Sequence, residues 1–327
     1  MDRGHTVNRY ARQMILPEVG ASGQERLSAA RVLVIGAGGL ATPVLPLLAG
    51  AGVGHLTIVD GDTVDLSNLH RQTLFSEGDC GQLKAKITAQ RCRELNRDIT
   101  VVAKNQALTS ENATDLIANA DLVLDCADSY AATYTLSDTC LTLGKPLISA
   151  SVLGLGGYVG GFCGGAPSVR AIFPDAPDSG ASCATAGVLG PVVGLIGSMQ
   201  AQMALAVLLG LDPSPLGQIM QFDAQNYRST SFRFDDAPEP DQSLRFVGLP
   251  ELTDSDLIIE LRGVDEAPEP ILPTANRIPP EEVLNHLPDP STRIALCCAT
   301  GLRAWRTAER IQQNWPGDIV LVAATTS

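Results

Sequence analysis

The chain has 327 residues, 45% hydrophobic and 18% charged, and its acidic residues outnumber the basic ones to leave a net charge of −13. That length suggests two domains, and the apolar share is enough for a sizeable buried core. The negative balance argues against nucleic acid as a partner, because polyphosphate backbones reward clustered Lys and Arg. It leaves a single nucleotide open, since a backbone loop and a few local cations can hold one.

The opening MDRGHTVNRYARQM lacks the apolar core of a signal peptide. RVLVIGAGGLATPV reads as a strand (Val32 to Ile35), a glycine turn and a helix that Pro46 should kink. HLTIVDGD is a second strand ending at Asp60, followed by a basic helix around Lys84 to Leu95 and a third strand, ITVVAKN. TSENATDLIAN opens with a cap-like Thr/Ser and reads as helix. DLVLDCAD is a fourth strand, SYAATYTLSDTCLTLG a helix ending at Gly144, and KPLISASV a fifth strand. Strands alternating with helices predict an α/β fold with a doubly wound, mostly parallel, Rossmann-like sheet.

Gly156 to Asp178 reads as a hairpin and a long loop. The apolar run Val188 to Leu211 is interrupted by Gly190, Pro191, Gly194, Gly197, Gln200 and Gln202. It therefore reads as a buried helix closing at Gly210 rather than a membrane span, and a soluble cytoplasmic protein is expected. QIMQFDAQNYRSTSFRF predicts two more strands, and FDDAPEPDQS an acidic linker. A small second domain restarts with DLIIELR. The expected division is 1–235, a linker over 236–252, and 253–327.

Gly36-Ala37-Gly38-Gly39-Leu40-Ala41 fits G-x-G-x-x-[GA] between a strand and a helix. Glycines there let backbone N–H groups approach phosphate, and the helix N-terminus adds positive potential. Asp60 lies 24 positions beyond Gly36, where an acidic side chain can take a ribose hydroxyl. The pattern alone does not separate a dinucleotide from ATP. Asp62, Asn68, Arg71, Gln72 and Lys84 follow closely, and cations converging on a phosphate end suit a departing pyrophosphate better than hydride transfer.

Eight cysteines stand at 80, 92, 126, 140, 163, 183, 297 and 298 with no C-x-x-C pair. That spacing speaks against cysteine-held zinc, and a reducing compartment speaks against disulfides. Cys183, in DSGASCATAGVLGPV, is a nucleophile, a metal ligand or filler on these grounds alone.

The ordered segments RYARQMILPEVGASGQERL, GAGGLA, VDGDTVDLSNLHRQTLF, GQLKAK, LVLDCADS, GKPLISASV and SCATAGVLGPVVGLIGSMQAQMALAVLLG resemble the ThiF/MoeB/HesA family of adenylating enzymes, over about Arg9 to Phe234. The resemblance implies that Gly36, Gly38 and Gly39 cradle ATP, Asp60 holds its ribose, and Asp62, Asn68, Arg71, Gln72 and Lys84 line its phosphate side. Asp128 would position Mg²⁺ or the reacting carboxylate, with Ser129 where relatives often have Asn. Arg12 resembles the arginine that reaches into a partner subunit's ATP site, which implies a homodimer. Plain alternatives stand beside these roles: surface charges at Arg12 and Lys84, a helix cap at Asp128, a turn residue at Asn68.

Such enzymes adenylate the C-terminal glycine of a ubiquitin-like sulfur carrier with a Gly-Gly tail, which a sulfur donor such as a cysteine desulfurase then helps to thiocarboxylate. Cys183 matches a family cysteine proposed to join the carrier through an acyl persulfide; a packed thiol is the alternative. Many relatives carry two C-x-x-C pairs around zinc. Here Ser168-Val169-Arg170-Ala171 stands where the first would fall, so no structural zinc is expected.

Near the end, Cys298-Ala299-Thr300-Gly301-Leu302-Arg303 follows the strand RIALC and precedes a helix. It resembles a rhodanese active loop, C-x-x-G-x-R, in a short rhodanese-like α/β domain with Glu260 where Asp is usual. Persulfide carriage by Cys298 and a relic packing role both stand, and Cys297 reads as buried in the strand. The leading expectation is activation of a ThiS-type carrier for thiamine thiazole synthesis. A MoaD-type carrier for molybdopterin, or tRNA thiolation, is the alternative within the class. A Rossmann NAD oxidoreductase and a non-catalytic scaffold are the alternatives outside it; NLHRQ argues against the former.

Overall fold

The computed structural model describes residues 8–176 and 187–324. Two short N-terminal helices, α1 (Ala11–Met14) and α2 (Gly20–Ala29), lead into an alternating run. It comprises β1 (Arg31–Ile35), α3 (Ala41–Ala51), β2 (His55–Val59), α4 (Lys84–Leu95), β3 (Thr100–Lys104), α5 (Ser110–Ile117), β4 (Leu122–Asp125), α6 (Tyr130–Leu143) and β5 (Pro146–Leu153). These match the expected elements to within a residue or two, except that β4 ends at Asp125, three residues short of the expected Asp128, which lies in the turn after it. The helical conformation of α3 continues through Pro46.

The chain then turns back in β6 (Gly156–Cys163), passes the short helix α7 (Val169–Ile172), and resumes with α8 (Gly190–Leu209), β7 (Gln218–Asp223) and β8 (Arg228–Arg233). The eight strands form one sheet in the order β3-β2-β1-β4-β5-β6-β7-β8. Neighbours from β3 to β5 are parallel and those from β5 to β8 antiparallel. Strand order reverses between β1 and β4. In open α/β sheets a crevice opens at the carboxyl ends of the strands at such a reversal.

β1 and β4 are buried along nearly their whole length, because helices cover both faces of the sheet. α8 is long and apolar enough to cross a membrane by length and composition alone. Here it buries Val192, Val193, Ile196, Ala201 and Ala204 in the core shared with α3 and the strands. Gly197 permits this approach, since a Cβ there would meet Leu40 O at 2.6 Å.

A second, all-parallel sheet has the order β11-β10-β12-β13-β9. Its strands are β9 (Arg245–Phe246), β10 (Leu257–Glu260), β11 (Asn276–Arg277), β12 (Ile294–Cys298) and β13 (Ile319–Ala323), with α9 (Leu302–Gln312) between the last two. β9 lies inside the segment read as a linker, where it pairs with β13. One apolar cluster runs from Val123 and Leu147 of the first sheet to Ile294 and Leu321 of the second. At its centre the rings of Tyr134 (α6) and Trp305 (α9) meet edge to face, centroids 4.4 Å apart. Arg170 joins them: it grips Asp138 through two bonds of 2.6 and 2.9 Å, donates to Leu244 O at 2.8 Å, and lies 4.7 Å from the Tyr134 ring centroid.

Candidate functional site

A cleft of about 720 Å³, open to solvent, lies at the strand-order reversal. Gly36, Gly38, Gly39, Asp60, Asp62, Arg71, Gln72, Lys84 and Asp128 all line it. Nine separate expectations therefore meet in one place. Three loops bring them there: the glycine turn after β1, the segment after β2, and the turn after β4.

The glycine turn is tight. Gly36 has φ +91°, and a Cβ there would meet Cys126 O at 2.7 Å, so only glycine lets the β1 turn lie on the β4 turn. No side chain caps the start of α3, which leaves its first N–H groups facing the cleft for an anion. Asp60 accepts from Ala37 N and from Asp62 N, each at 2.7 Å, and so pins the glycine turn to the next strand. Burial pushes its carboxyl above the usual range, opposed by those two hydrogen bonds and by Lys84.

Lys84 is buried at the start of α4, and its Nζ donates to Asp62 Oδ2 at 2.9 Å. Arg71 is half-buried, its Nη1 2.8 Å from His70 Nε2. Gln72 is buried, and its Oε1 has no hydrogen-bond partner, an acceptor left over for a bound group. Asp128 is exposed and enters no ion pair among the described residues.

Other expected residues lie apart from the cleft. Asn68 closes the turn Leu66–Asn68, its carbonyl accepting from Arg71 N at 3.1 Å and Gln72 N at 3.0 Å. Arg12 is exposed on α1. Cys298 sits at the end of β12, 1% exposed, with Ala304 N donating to its Sγ at 3.3 Å. Arg303 of the same loop donates to Leu261 O and pairs with Glu266 at 2.8 Å. Cys297 is buried, which pushes its thiol up to about 12. Cys183 lies outside the described residues. Among those residues, no three His, Cys, Asp or Glu side chains gather as a metal site.

Sequence reading missed the apolar and backbone lining: Leu40, Cys126, Ala127, Ser151, Val152, Val188 and Val193. The usable signal was position, since most follow a strand's carboxyl end or begin a helix.

A profile described as "ThiF family" matches residues 10–244. The chain is 42% identical to the Sulfur carrier protein ThiS adenylyltransferase of Escherichia coli over 236 residues, covering 69% of this chain and 91% of that protein. It is 45% identical to the Adenylyltransferase and sulfurtransferase MOCS3 of Bos taurus over 221 residues, covering 67% of this chain and 49% of that one. The chain thus spans about half the length of MOCS3. The crystal structure of E. coli MccB with ATP superposes with a TM-score of 0.62 at 20% identity, over 71% of this chain and 73% of the other; this is a likeness of fold.

Proposed function

The chain belongs to the ThiF family, and from that premise we propose that it adenylates the C-terminal glycine of a ubiquitin-like sulfur carrier at the expense of ATP. The observation that carries this reading is the convergence of the glycine turn, Asp60, Arg71, Gln72, Lys84 and Asp128 on one cleft at the reversal of strand order. The cleft suits ATP on three counts: a turn that only glycine can make, an uncapped helix start, and the unpartnered Gln72 Oε1.

A carboxylate is a poor electrophile. Attack of its oxygen on the α-phosphorus forms an O–P bond, breaks the bond to the β-phosphate oxygen, and leaves an acyl-adenylate and pyrophosphate. Gly36, Gly38 and Gly39 offer backbone approach to the phosphates, and Asp60 has lone pairs for the ribose. Asp62 keeps Lys84 in place, and Lys84 with Arg71 neutralises the departing pyrophosphate. Asn68 acts from outside the cleft by shaping the turn that presents Arg71 and Gln72. Asp128, which enters no ion pair among the described residues, would hold Mg²⁺, which would supply charge neutralisation for the phosphates.

Arg12 is exposed and does not line its own chain's cleft, which suits the role of reaching a second copy in a homodimer. Cys183 is the candidate sulfur-handling thiol, joined by Cys298 only when its closed loop opens, with a donor such as a cysteine desulfurase supplying sulfur in the cytoplasm. ThiS-type and MoaD-type carriers are the two choices, because a relative named a ThiS adenylyltransferase and one named the adenylyltransferase and sulfurtransferase MOCS3 match at similar identity. ATP–pyrophosphate exchange with purified ThiS and MoaD decides: exchange with either supports the reading, and none with any Gly-Gly-ended carrier ends it.

A further inference from the structure

The row of residues that crosses the sheet at the cleft runs Val59, Ile35, Asp125, Ser149 on β2, β1, β4 and β5. Its first two members are buried apolar residues, as core positions favour. The last two are polar and equally buried. Asp125 has no cation paired with it among the described residues, so three hydrogen bonds alone compensate its burial. Its Oδ2 accepts from Thr133 Oγ1 at 2.7 Å and Ser149 Oγ at 2.8 Å, and its Oδ1 from Ala127 N at 3.2 Å.

Gln200 meets the same turn from the other face of the sheet. It is fully buried in α8, a long and largely apolar helix. Its Nε2 donates to Asp125 O at 2.7 Å and Ile148 O at 3.1 Å, and its Oε1 accepts from Cys126 Sγ at 3.4 Å. Neither side chain is named by the glycine-loop or phosphate motifs. Burying an acid and an amide costs stability that apolar residues of similar size would spare. What the pair secures is the turn Cys126–Asp128, from which Asp128 enters the cleft. Its register is set on three sides: by the Asp125 carboxylate, by Gln200, and by Gly36 packed against Cys126 O.

We propose that Asp125 and Gln200 are positioning residues that fix the Cys126–Asp128 turn, and so hold Asp128 where the reacting groups need it. The proposal rests on the adenylation reading. Neither residue touches substrate. Both act through Asp128, so their loss should slow the chemical step more than it weakens ATP binding.

The test is steady-state ATP–pyrophosphate exchange with purified ThiS and MoaD, read as kcat and KM for ATP, on the full chain and the variants Asp125→Asn, Gln200→Leu, Thr133→Val and Thr133→Ser. Asp125→Asn, Gln200→Leu and Thr133→Val should each lower kcat about tenfold or more while KM for ATP stays within roughly threefold. Thr133→Ser keeps the hydroxyl and should recover most of the loss. Unchanged kcat in Asp125→Asn and Thr133→Val overturns the proposal. So does a parallel fall of kcat and ATP affinity together with lower melting temperature, which marks a merely structural role. If Asp125→Asn does not fold, the Thr133 pair decides by the same split. A wild-type chain silent with every carrier tells against the adenylation reading instead, a result distinct from any pattern among the variants.

Discussion

Lys84 and Asp62 form an asymmetric pair: Nζ and Oδ2 are 2.9 Å apart, the lysine side chain is 9% exposed and the aspartate 45%. The ammonium is thus held in a largely dry wall, hydrogen-bonded to Asp62 on its wet side and with Asp60 acting on it at longer range. It keeps spare donors for a phosphate, and a water-poor setting strengthens that contact. Lys84→Met should lower kcat/KM for ATP by about 100-fold or more, the scale seen when one charge-stabilising donor is removed. Lys84→Arg should restore little, because a planar fork does not replace a compact ammonium in a closed wall. Pyrophosphate exchange within a few-fold of wild type in Lys84→Met would remove Lys84 from the phosphate site.

Two glycines of the same turn should respond differently to alanine. At Gly36 a methyl would meet Cys126 O at 2.7 Å on a backbone with φ +91°. Strain there is on the order of 1–3 kcal/mol before any clash, so Gly36→Ala should melt several degrees lower and bind no ATP. At Gly38 the nearest atom is Gln72 Nε2 at 3.5 Å, ordinary contact. Gly38→Ala should keep its melting temperature and lose ATP affinity alone, because the methyl enters the cleft. Calorimetry of unfolding and of ATP binding separates the two.

Burial pushes the Asp125 carboxyl up to about 6 from an ordinary 3.8, against the hydrogen bonds from Thr133, Ser149 and Ala127. An acid whose pKa is raised by folding binds more protons in the native state between those values, so its contribution is complete below pH 4 and is lost as pH climbs through 6. The loss is on the order of 3 kcal/mol by pH 8. Asp125→Asn carries no charge to bury. It should therefore unfold at higher urea than wild type at pH 8, with the advantage shrinking towards pH 4. Equal midpoints at both pH values would show that the ionised carboxylate is not costly here.

Cys298 is closed in by the contact between the two sheets. A methyl at Gly301 of its loop would strike the Phe246 ring, and Phe246 and Tyr134 flank Trp305. Alkylating reagents should label Cys298 slowly in the folded protein. Trp305→Ala should cost roughly 3 kcal/mol, the usual scale for a buried tryptophan, and speed that labelling at least tenfold. Peptide mass spectrometry reads the rate at this site. Fast labelling of the wild type would show the loop open, as persulfide transfer from a large donor requires.

At Ser168, where the family resemblance would place a first C-x-x-C pair, Glu239 accepts from Ser168 N at 2.7 Å and from Ser168 Oγ at 2.5 Å. The contact ties α7 to the segment after β8. Metal analysis of the purified chain should find no stoichiometric zinc, and chelators should leave its melting temperature unchanged. Glu239→Ala should cost about 1–2 kcal/mol, since it strands the buried Ser168 donors. A tightly held zinc per chain would contradict this account.

Much of the first sheet was readable in advance because its central strands carry short apolar runs bounded by turn residues, as in Val32 to Ile35 and Leu122 to Leu124. The cleft was readable for a related reason: its polar residues come from contiguous motifs whose chemistry fixes their types. Asp125 and Gln200 escaped notice because their partners lie on other strands and helices, 8 to 75 positions away. Nothing local marks an acid or an amide as part of a shared frame. β9 escaped for the opposite reason, since a two-residue strand between prolines and acids carries no period to detect.

The placement of β9 bears on ancestry. Its two residues precede everything else in the smaller half yet supply the outer edge of that half's sheet, beside β13, and Leu244 next to them is bonded to Arg170. A recombination breakpoint after Phe246 would strip the smaller half of a border strand, and one ahead of Leu244 would separate Arg170 from its anchor. The two halves are therefore exchangeable as gene segments only if the cut falls ahead of Leu244 and the recipient brings its own counterpart to Arg170.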